Sequence, residues 1–413
     1  MLFTLVKNTL LFILIILSSC NTKTERNQSG KDPLSINDSG IQHEQPIQVG
    51  ASRTEVYLPL IKGKRIGIVA NQTSIITHDE SNSYTHLVDS LSALKLDIRK
   101  VFAPEHGFRG TADAGEAIQD GIDTRTGLPI ISLYGKNKKP SAEQLSDVDV
   151  VLFDIQDVGA RFYTYISTLH YVMEACGEQG KQLIVLDRPN PNGHIIDGPV
   201  LEMRHKSFVG MHPIPILHGM TIGEYAKMIN GEKWLDQGIN CSLEVIPVAN
   251  YDHSHSYHLP VKPSPNLPND QSIMLYPSLC LFEGTNVSAG RGTEMQFQIF
   301  GSPFLDENIY GFIFQPEPNE GAKYPKHQGI KCYGKDLRKQ EKLNKLNLNW
   351  LIDAYNSTAD REMFFNDFFT KLAGTETLKG QIKSGLSHAT IRASWSEGLS
   401  KFTKMREQYL IYD

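Results

Sequence analysis

Carboxylate, amide, guanidinium and aromatic side chains follow four apolar segments of this 413-residue sequence. The polar segments span residues 71–73, 104–110, 154–165 and 187–193. Hydrogen-bonding groups mixed with aromatic rings suit a hydroxylated ligand such as a sugar. Because each residue alone is a weak signal, this prediction depends on the whole set.

Hydrolysis of a glycosidic bond needs one carboxylic acid to protonate the leaving oxygen. A second group then acts as base, as nucleophile or as stabiliser of the oxocarbenium-like transition state. Glu105 is the predicted acid, because it follows an apolar segment and has His106 and Arg109 close enough in sequence to influence its ionisation. A simple ion pair between Glu105 and Arg109 is the structural alternative.

The second catalytic group has several candidates. We take Glu116 and Asp157 as the catalytic candidates, and Asp154 and Glu283 as substrate-binding carboxylates that could also serve. Asp154 could equally be a structural residue at the end of a strand. Asp157, two residues before Gly159, could equally form a turn or cap a helix.

Further candidate substrate contacts lie in the same segments and beyond them. Arg161, Arg188 and Arg291 could each bind a substrate carboxylate through paired hydrogen bonds, although an ordinary ion pair is the better single explanation for each. Tyr163 could stack on a sugar ring, and His218, expected in a loop before a helix, could bind substrate or be structural. The other predicted substrate-binding residues are Asn71, His106, Arg109, Gln156 and Asn286.

Alternating apolar segments and helical patterns must position these residues. Strands are predicted at 64–70, 97–103, 128–134, 147–154 and 181–187, and helices at 84–94 and 164–179. Nearly uninterrupted apolar strands between helices indicate a parallel sheet covered on both faces. The predicted fold class is α/β, a Rossmann-like parallel-sheet domain followed by a smaller α+β C-terminal domain. Ligands of such sheets bind at the carboxyl ends of the strands.

The chain is predicted to have four parts. They are a lipoprotein signal peptide at 1–20, a flexible tether at 21–50, a Rossmann-like catalytic domain at 51–265 and a smaller domain at 266–413 that completes the cleft. The boundary follows from the proline-rich stretch 260–277, which is expected to resist regular structure. Later helices are predicted at 346–355, 360–372 and 395–412.

The N-terminus has the pattern of an export signal. Lys7 precedes the apolar run 10–17, which is too short to span a bilayer, and two serines lead into Cys20. This resembles the lipobox of bacterial lipoproteins, which implies lipidation of Cys20, a membrane anchor and a place in the cell envelope, with the outer membrane favoured. An ordinary signal peptide or an uncleaved anchor is the alternative. The polar composition of 21–50 indicates a tether.

Several function classes are disfavoured. The net charge is −5 and no basic stretch alternates with aromatic residues, so nucleic acid is not an expected partner. Motifs for dinucleotides, nucleotides, serine nucleophiles and zinc are absent from the sequence. The four cysteines after Cys20 allow three full disulfide pairings, among which the sequence does not choose.

The longer motifs resemble the exo-β-N-acetylmuramidase family of the NamZ type. They include VFAPEHGFRG at 101–110, DAGE at 113–116, LFDIQDVGARFYTY at 152–165, DRPNPNG at 187–193, LHGM at 217–220, FEGTNVS at 282–288 and GRGT at 290–293. The resemblance extends from about residue 53 to the end. It implies release of terminal N-acetylmuramic acid from the non-reducing end of peptidoglycan fragments, in a cleft between two domains with Glu105 catalytic. The lactyl carboxylate of that sugar is a group that an arginine could bind. The resemblance implies no metal or organic cofactor.

Two other functions stay open on the sequence. A non-catalytic lipoprotein that captures cell-wall saccharides would use the same cleft, although binding alone does not require several carboxylates at the strand ends. An amidase or esterase acting on peptidoglycan would be expected to carry nucleophile motifs or zinc-ligand spacings that this sequence lacks.

Overall fold

The computed structural model describes residues 45–78, 83–110 and 120–413. The predicted signal peptide, Cys20, most of the tether and Glu116 lie outside these residues. Within them, no helix has the length and apolar character needed to cross a membrane.

The strands of the described chain are β1 (Ile66–Ala70), β2 (Ile75–His78), β3 (Ser83–His86), β4 (Ile98–Ala103), β5 (Gly121–Ile122), β6 (Pro129–Ser132), β7 (Val150–Asp154), β8 (Gln182–Leu186), β9 (Ile196–Asp197), β10 (Leu217–His218), β11 (Ser242–Ile246), β12 (Ile299–Ser302), β13 (Phe312–Phe314) and β14 (Cys332–Asp336). The α-helices are α1 (Thr54–Ile61), α2 (Leu87–Ala93), α3 (Ala142–Leu145), α4 (Tyr165–Glu178), α5 (Ile222–Gly231), α6 (Asp270–Leu279), α7 (Asn349–Ser357), α8 (Phe368–Ala373), α9 (Thr377–Lys383), α10 (His388–Ala393) and α11 (Ser396–Arg406).

A seven-stranded sheet, in the order β11-β8-β7-β1-β4-β6-β5, forms the centre of the fold. All neighbouring pairs are parallel except β5 with β6 at one edge. Counted along the chain, the six parallel strands lie in the doubly wound order 3-2-1-4-5-6, which reverses between β1 and β7. The predicted α/β class with a Rossmann-like sheet is therefore confirmed.

Both faces of the sheet are covered. Alternate residues of β1 contribute to different cores, with Ile68 in one apolar cluster and Val69 in the other. All five residues of β1 and of β7 are buried, which explains their nearly continuous apolar sequences.

The C-terminal region has the predicted α+β character. Its antiparallel sheet has the order β12-β14-β13, and helices α7 to α11 follow it. Tyr165 of α4 and Phe282 of the C-terminal region share one apolar cluster, so the two regions pack directly on each other. The boundary at 265/266 stays a prediction.

Several local predictions need correction. Ser83–His86 forms strand β3 rather than the start of a helix, and α2 begins at Leu87, where the His86 ring accepts a hydrogen bond from Val88 N. The proline-rich stretch is irregular only to Asn269, whose side chain accepts a hydrogen bond from Ser272 N and caps α6.

The end of the predicted tether also belongs to the fold. Gln48 exchanges two backbone hydrogen bonds with Ala249, and Gly50 N donates to the carbonyl of Asp187 at 2.8 Å. Further along, the predicted helix 360–372 is shorter and begins at Phe368, and the predicted helix 395–412 ends at Arg406. His218 lies in strand β10 rather than in a loop.

Candidate active site

A pocket of about 490 Å³ lies where the ends of neighbouring strands meet the C-terminal region. This volume is within the range of pockets that bind small ligands. Its polar and charged lining residues are Glu105, His106, Tyr134, Lys138, Tyr163, Thr164, Tyr165, Ser264, Asn266, Tyr276, Glu283 and Arg291. Glu105 and Glu283 come from sequence segments far apart and contribute two carboxylates to one cavity.

Glu105 is placed by the turn that follows β4. Gly107 N donates to the carbonyl of Pro104 at 3.0 Å, and His106 between them has a left-handed φ of 71°. The Glu105 side chain is 9% exposed, and its Oε2 accepts a hydrogen bond from Thr164 Oγ1 at 2.6 Å. The turn thus brings the carboxyl group against the start of α4, at the wall of the pocket.

Tyr134, which follows β6, also forms a hydrogen bond with Glu105. Burial raises the pKa of Tyr134, and the neighbouring Glu105 carboxyl and the hydrogen bond to it raise this pKa further. A tyrosine with a raised pKa keeps its proton and can donate it. Thr164 and Tyr134 therefore both help to orient the Glu105 carboxyl.

Glu283 approaches from the C-terminal region. It lies in the 3₁₀ helix Cys280–Gly284, directly after α6, and its Oε1 is 3.2 Å from Arg291 Nη1. Their side chains are 27% and 26% exposed. Burial is the main cause of the raised pKa of Tyr276, to which both Glu283 and Glu105 add, so this ring is within electrostatic reach of both carboxyls.

A partly buried lysine fixes the backbone around Glu283. The Lys326 ammonium donates to the carbonyls of Phe282 and Val287, each at 3.0 Å, and to that of Thr285. Burial lowers the pKa of Lys326 to about 8. All three ammonium protons have protein acceptors, so Lys326 stabilises this loop rather than presenting a free charge.

Asp154 and Arg188 were predicted to bind substrate, and the structure instead pairs them with each other. Arg188 Nε and Nη2 lie 2.6 and 2.9 Å from the two Asp154 carboxylate oxygens, and Nη2 also donates to the Ile75 carbonyl. Both side chains are buried and neither lines the pocket. The pair therefore contributes to the fold, and a contact of either residue with substrate stays a prediction.

Arg161 is also bound within the fold. Its side chain is 0% exposed and donates to four backbone carbonyls, each at 2.8 Å. The acceptors are Pro199, Ile214, Leu372 and Ala373. A guanidinium bound to the backbone in this way joins the two regions of the fold, and its contact with a substrate carboxylate stays a prediction.

Asp157 and His218 lie close to each other and outside the pocket lining. Asp157 Oδ2 accepts a hydrogen bond from Gly159 N at 2.7 Å and is 3.8 Å from His218 Nε2. Burial raises the pKa of Asp157 to about 7 and lowers that of His218 to about 3. Neither lines the pocket, so the predicted direct contact of Asp157 with the sugar has no support in this geometry.

The other predicted contacts are divided between the pocket and its surroundings. His106 and Tyr163 line the pocket, and the Tyr163 hydroxyl donates to the Pro263 carbonyl at 2.8 Å. Arg109 pairs with Asp89 and Asp123 outside it. Asn71, Gln156 and Asn286 also lie outside the pocket. Glu116 is outside the described residues.

The sequence analysis missed Tyr134, Lys138 and Thr164. Tyr134 and Lys138 follow β6, so the rule that ligands bind at strand ends could have found them. Thr164 stands between the predicted contact Tyr163 and helix α4, and only its hydrogen bond to Glu105 marks it. Among the described residues, no group of three His, Cys, Asp or Glu side chains is placed to hold a metal ion. Cys176, Cys241, Cys280 and Cys332 are buried free thiols.

The fold and the pocket define a class: an α/β protein that presents two carboxylates in a cavity of sugar size, the arrangement of a glycoside hydrolase. Comparisons with known proteins give the family. Residues 66–271 match the profile of Exo-beta-N-acetylmuramidase NamZ, N-terminal, and residues 274–412 match that of its C-terminal part. The chain belongs to this family, and the resemblance found in the sequence is confirmed.

Individual relatives agree with the family. The chain is 40% identical over 378 residues to the peptidoglycan beta-N-acetylmuramidase NamZ of Bacillus subtilis (strain 168), covering 86% of this chain and 89% of that protein. Two crystal structures of DUF1343 family proteins from Bacteroides fragilis NCTC 9343 are similar, with TM-scores of 0.81 and 0.75 at 43% and 27% identity. Each match covers 89% of this chain and 99% of the other.

Proposed function

We propose that this protein is an exo-acting β-N-acetylmuramidase that releases terminal N-acetylmuramic acid from the non-reducing end of peptidoglycan fragments. The observation that carries the proposal is that Glu105 and Glu283 line the same pocket in a chain from this family. In the reaction, the bond between the anomeric carbon and the glycosidic oxygen breaks. Water supplies a hydroxyl to the carbon and, in net terms, a proton to the leaving oxygen.

Glu105 is the general acid in this proposal. Its carboxyl group lines the pocket and is oriented by Thr164 and Tyr134. A fixed carboxyl at a largely water-excluded wall can transfer its proton to the leaving oxygen without first reorganising.

Glu283 is the second carboxylate. It can stabilise the positive charge that develops on the sugar ring, or orient the acetamido group of the substrate if that group takes part. Arg291 and the loop held by Lys326 keep it in place. Glu116 stays a second candidate on the sequence.

Lys138 supplies the selectivity for muramic acid. The two cationic side chains among the lining residues are Arg291 and Lys138, and Arg291 already pairs with Glu283. The Lys138 ammonium lies 4.5 Å from the centre of the Phe208 ring, on the wall that also carries Tyr134. The next residue, Lys139, instead binds Glu174 and Glu178. Lys138 is therefore the group we assign to the lactyl carboxylate, which N-acetylglucosamine lacks.

The proposed location is the cell envelope, with the protein attached through a lipid on Cys20 and favouring the outer membrane. The support is the sequence pattern before Cys20 and the polar composition of the segment after it. Cells fed an alkyne-labelled fatty acid should label the parent protein and not Cys20→Ser. Equal labelling of both would exclude this attachment site.

Product analysis tests the activity. The parent protein, incubated with a disaccharide carrying N-acetylmuramic acid at the non-reducing end, should release the free sugar, as measured by mass spectrometry. Glu105→Gln should lose roughly 10²- to 10⁴-fold in rate, the usual contribution of a general acid, with an unchanged melting temperature. Binding without turnover by the parent would favour the saccharide-binding lipoprotein, and cleaved amide bonds would favour the amidase.

A further inference from the structure

A second pocket adjoins the first at the Glu283–Arg291 ion pair. Its volume is about 420 Å³, and it shares Glu283, Arg291 and Phe368 with the first pocket. A substrate whose scissile bond lies near these carboxylates must extend beyond the first pocket on one side. The second pocket offers a place for that extension.

The second pocket presents an exposed aromatic ring. Tyr324 is 92% exposed, more than any other large apolar side chain of the described chain, and it lines this pocket. Aromatic rings contribute large amphipathic contact surfaces, and their faces suit the C–H groups on one face of a pyranose. Tyr324 therefore presents an open ring face at the wall of the second pocket.

The segment that carries Tyr324 is fixed against the ion pair. Pro325 packs so closely on Gly292, whose φ is +81°, that a β-carbon at Gly292 would lie 2.5 Å from the proline ring. Arg291 Nη2 also donates to the Gly321 carbonyl at 3.2 Å. The backbone that carries Tyr324 and the arginine that pairs with Glu283 are thus held by one set of contacts, which reduces the ordering cost of binding.

The charges of the second pocket favour a neutral ligand. Glu283 is paired with Arg291, and the Lys326 ammonium is bound to three carbonyls. A charged peptide would have to compete with these partners, whereas a neutral sugar needs only ring contacts and hydrogen bonds.

We infer that the second pocket is the subsite for the sugar on the leaving side of the scissile bond, a neutral N-acetylated pyranose that stacks on Tyr324. This inference rests on the proposed muramidase activity. It places N-acetylmuramic acid in the first pocket, the glycosidic oxygen within reach of the acid Glu105, and the next sugar of the glycan beyond the Glu283–Arg291 pair and over the Tyr324 ring.

Two substrates separate this subsite from the catalytic pocket. One is the disaccharide of N-acetylmuramic acid and N-acetylglucosamine, and the other is the β-fluoride of N-acetylmuramic acid, whose leaving group is too small to reach the second pocket. Tyr324→Ala should raise KM for the disaccharide roughly 3- to 10-fold, the range expected for loss of one aromatic contact, and leave fluoride hydrolysis unchanged. Tyr324→Phe, which keeps the ring, should retain the parent KM.

Tyr84→Ala is the matched control, because Tyr84 is 54% exposed and lines neither pocket. It should change neither substrate. An unchanged disaccharide KM in Tyr324→Ala, or equal losses on both substrates, would overturn the subsite while leaving the muramidase activity standing. A parent protein that hydrolyses neither substrate would overturn the proposed function, and the subsite with it.

Discussion

Two regions at the carboxyl edge of the same sheet differ sharply in how they use polar residues. The first is the crevice between β1 and β7, where the strand order reverses and where doubly wound proteins usually bind ligands. Here it is closed, because Ser74 Oγ donates to the Asp154 carbonyl and Gln156 N donates to Thr73 Oγ1. The second is the pocket beyond β4 and β6, which stays open.

The difference teaches how a structural polar residue can be told from a site residue. In the crevice, Asp154 and Arg188 are buried and use each other and a backbone carbonyl. In the pocket, Glu105 and Lys138 reach the cavity surface and contact rings or hydroxyls. Position after a strand is shared by both groups, so access to the cavity and the side-chain partners separate them.

The largest expected effect is a loss of stability when the ion pair in the crevice is broken. Arg188→Met leaves the Asp154 carboxylate buried without its partner, which should lower the free energy of unfolding by roughly 3–5 kcal/mol. Urea denaturation measures this change. The activity of the folded protein should stay close to that of the parent. Arg65→Met, which removes an exposed arginine paired with Asp149, should change stability little. A stable but inactive Arg188→Met protein would indicate that the active site lies in the crevice.

A pH series sharpens the comparison at Asp157. Because burial raises its pKa to about 7, the folded protein binds a proton there that the unfolded chain releases above about 4. Its stabilising contribution is therefore present in acid and lost as the pH rises toward 7. Relative to Asp157→Asn, the parent should lose up to roughly 4 kcal/mol of unfolding free energy between pH 4 and 7.

The activity of Asp157→Asn provides the second half of this test. Since Asp157 does not line the pocket, the folded variant should turn over substrate at nearly the parent rate. Loss of activity as large as that of Glu105→Gln, with an unchanged fold, would return Asp157 to the catalytic machinery.

Glu283→Gln tests the open pocket. Removing a charge that stabilises the transition state should lower kcat by about 10²-fold. Stability should change little, because the ion pair with Arg291 is partly exposed. Glu320→Gln, a carboxylate 65% exposed near Lys262, should leave both quantities unchanged. A parent-like kcat in Glu283→Gln would leave Glu116 as the second group.

The smallest expected effect concerns selectivity. Lys138→Met should weaken inhibition by free N-acetylmuramic acid by about 10-fold, the cost of losing one charged hydrogen bond, and leave inhibition by N-acetylglucosamine unchanged. Inhibition constants for both sugars measure the difference. Lys136→Met removes an exposed charge from the same loop without touching the pocket and should have no effect. Equally weakened inhibition by both sugars would show that Lys138 does not bind the lactyl carboxylate.

The sequence predicted the sheet well because buried parallel strands have a local signature. The apolar run before Asp154 and the segment before Glu105 both mark strands whose ends meet at one edge. The pairing of Asp154 with Arg188 could not be predicted in the same way, since it depends on which strands become neighbours. The backbone contacts of Arg161 could not be predicted for the same reason. Its four carbonyl acceptors come from segments that are distant in the sequence.

The most direct test of the central claim is a crystal structure of Glu105→Gln with the disaccharide bound. We expect the muramic acid ring between Gln at position 105 and Glu283, with its lactyl carboxylate within hydrogen-bonding distance of the Lys138 ammonium. A sugar bound in the crevice beside Asp154 and Arg188, or outside the pocket altogether, would contradict the account.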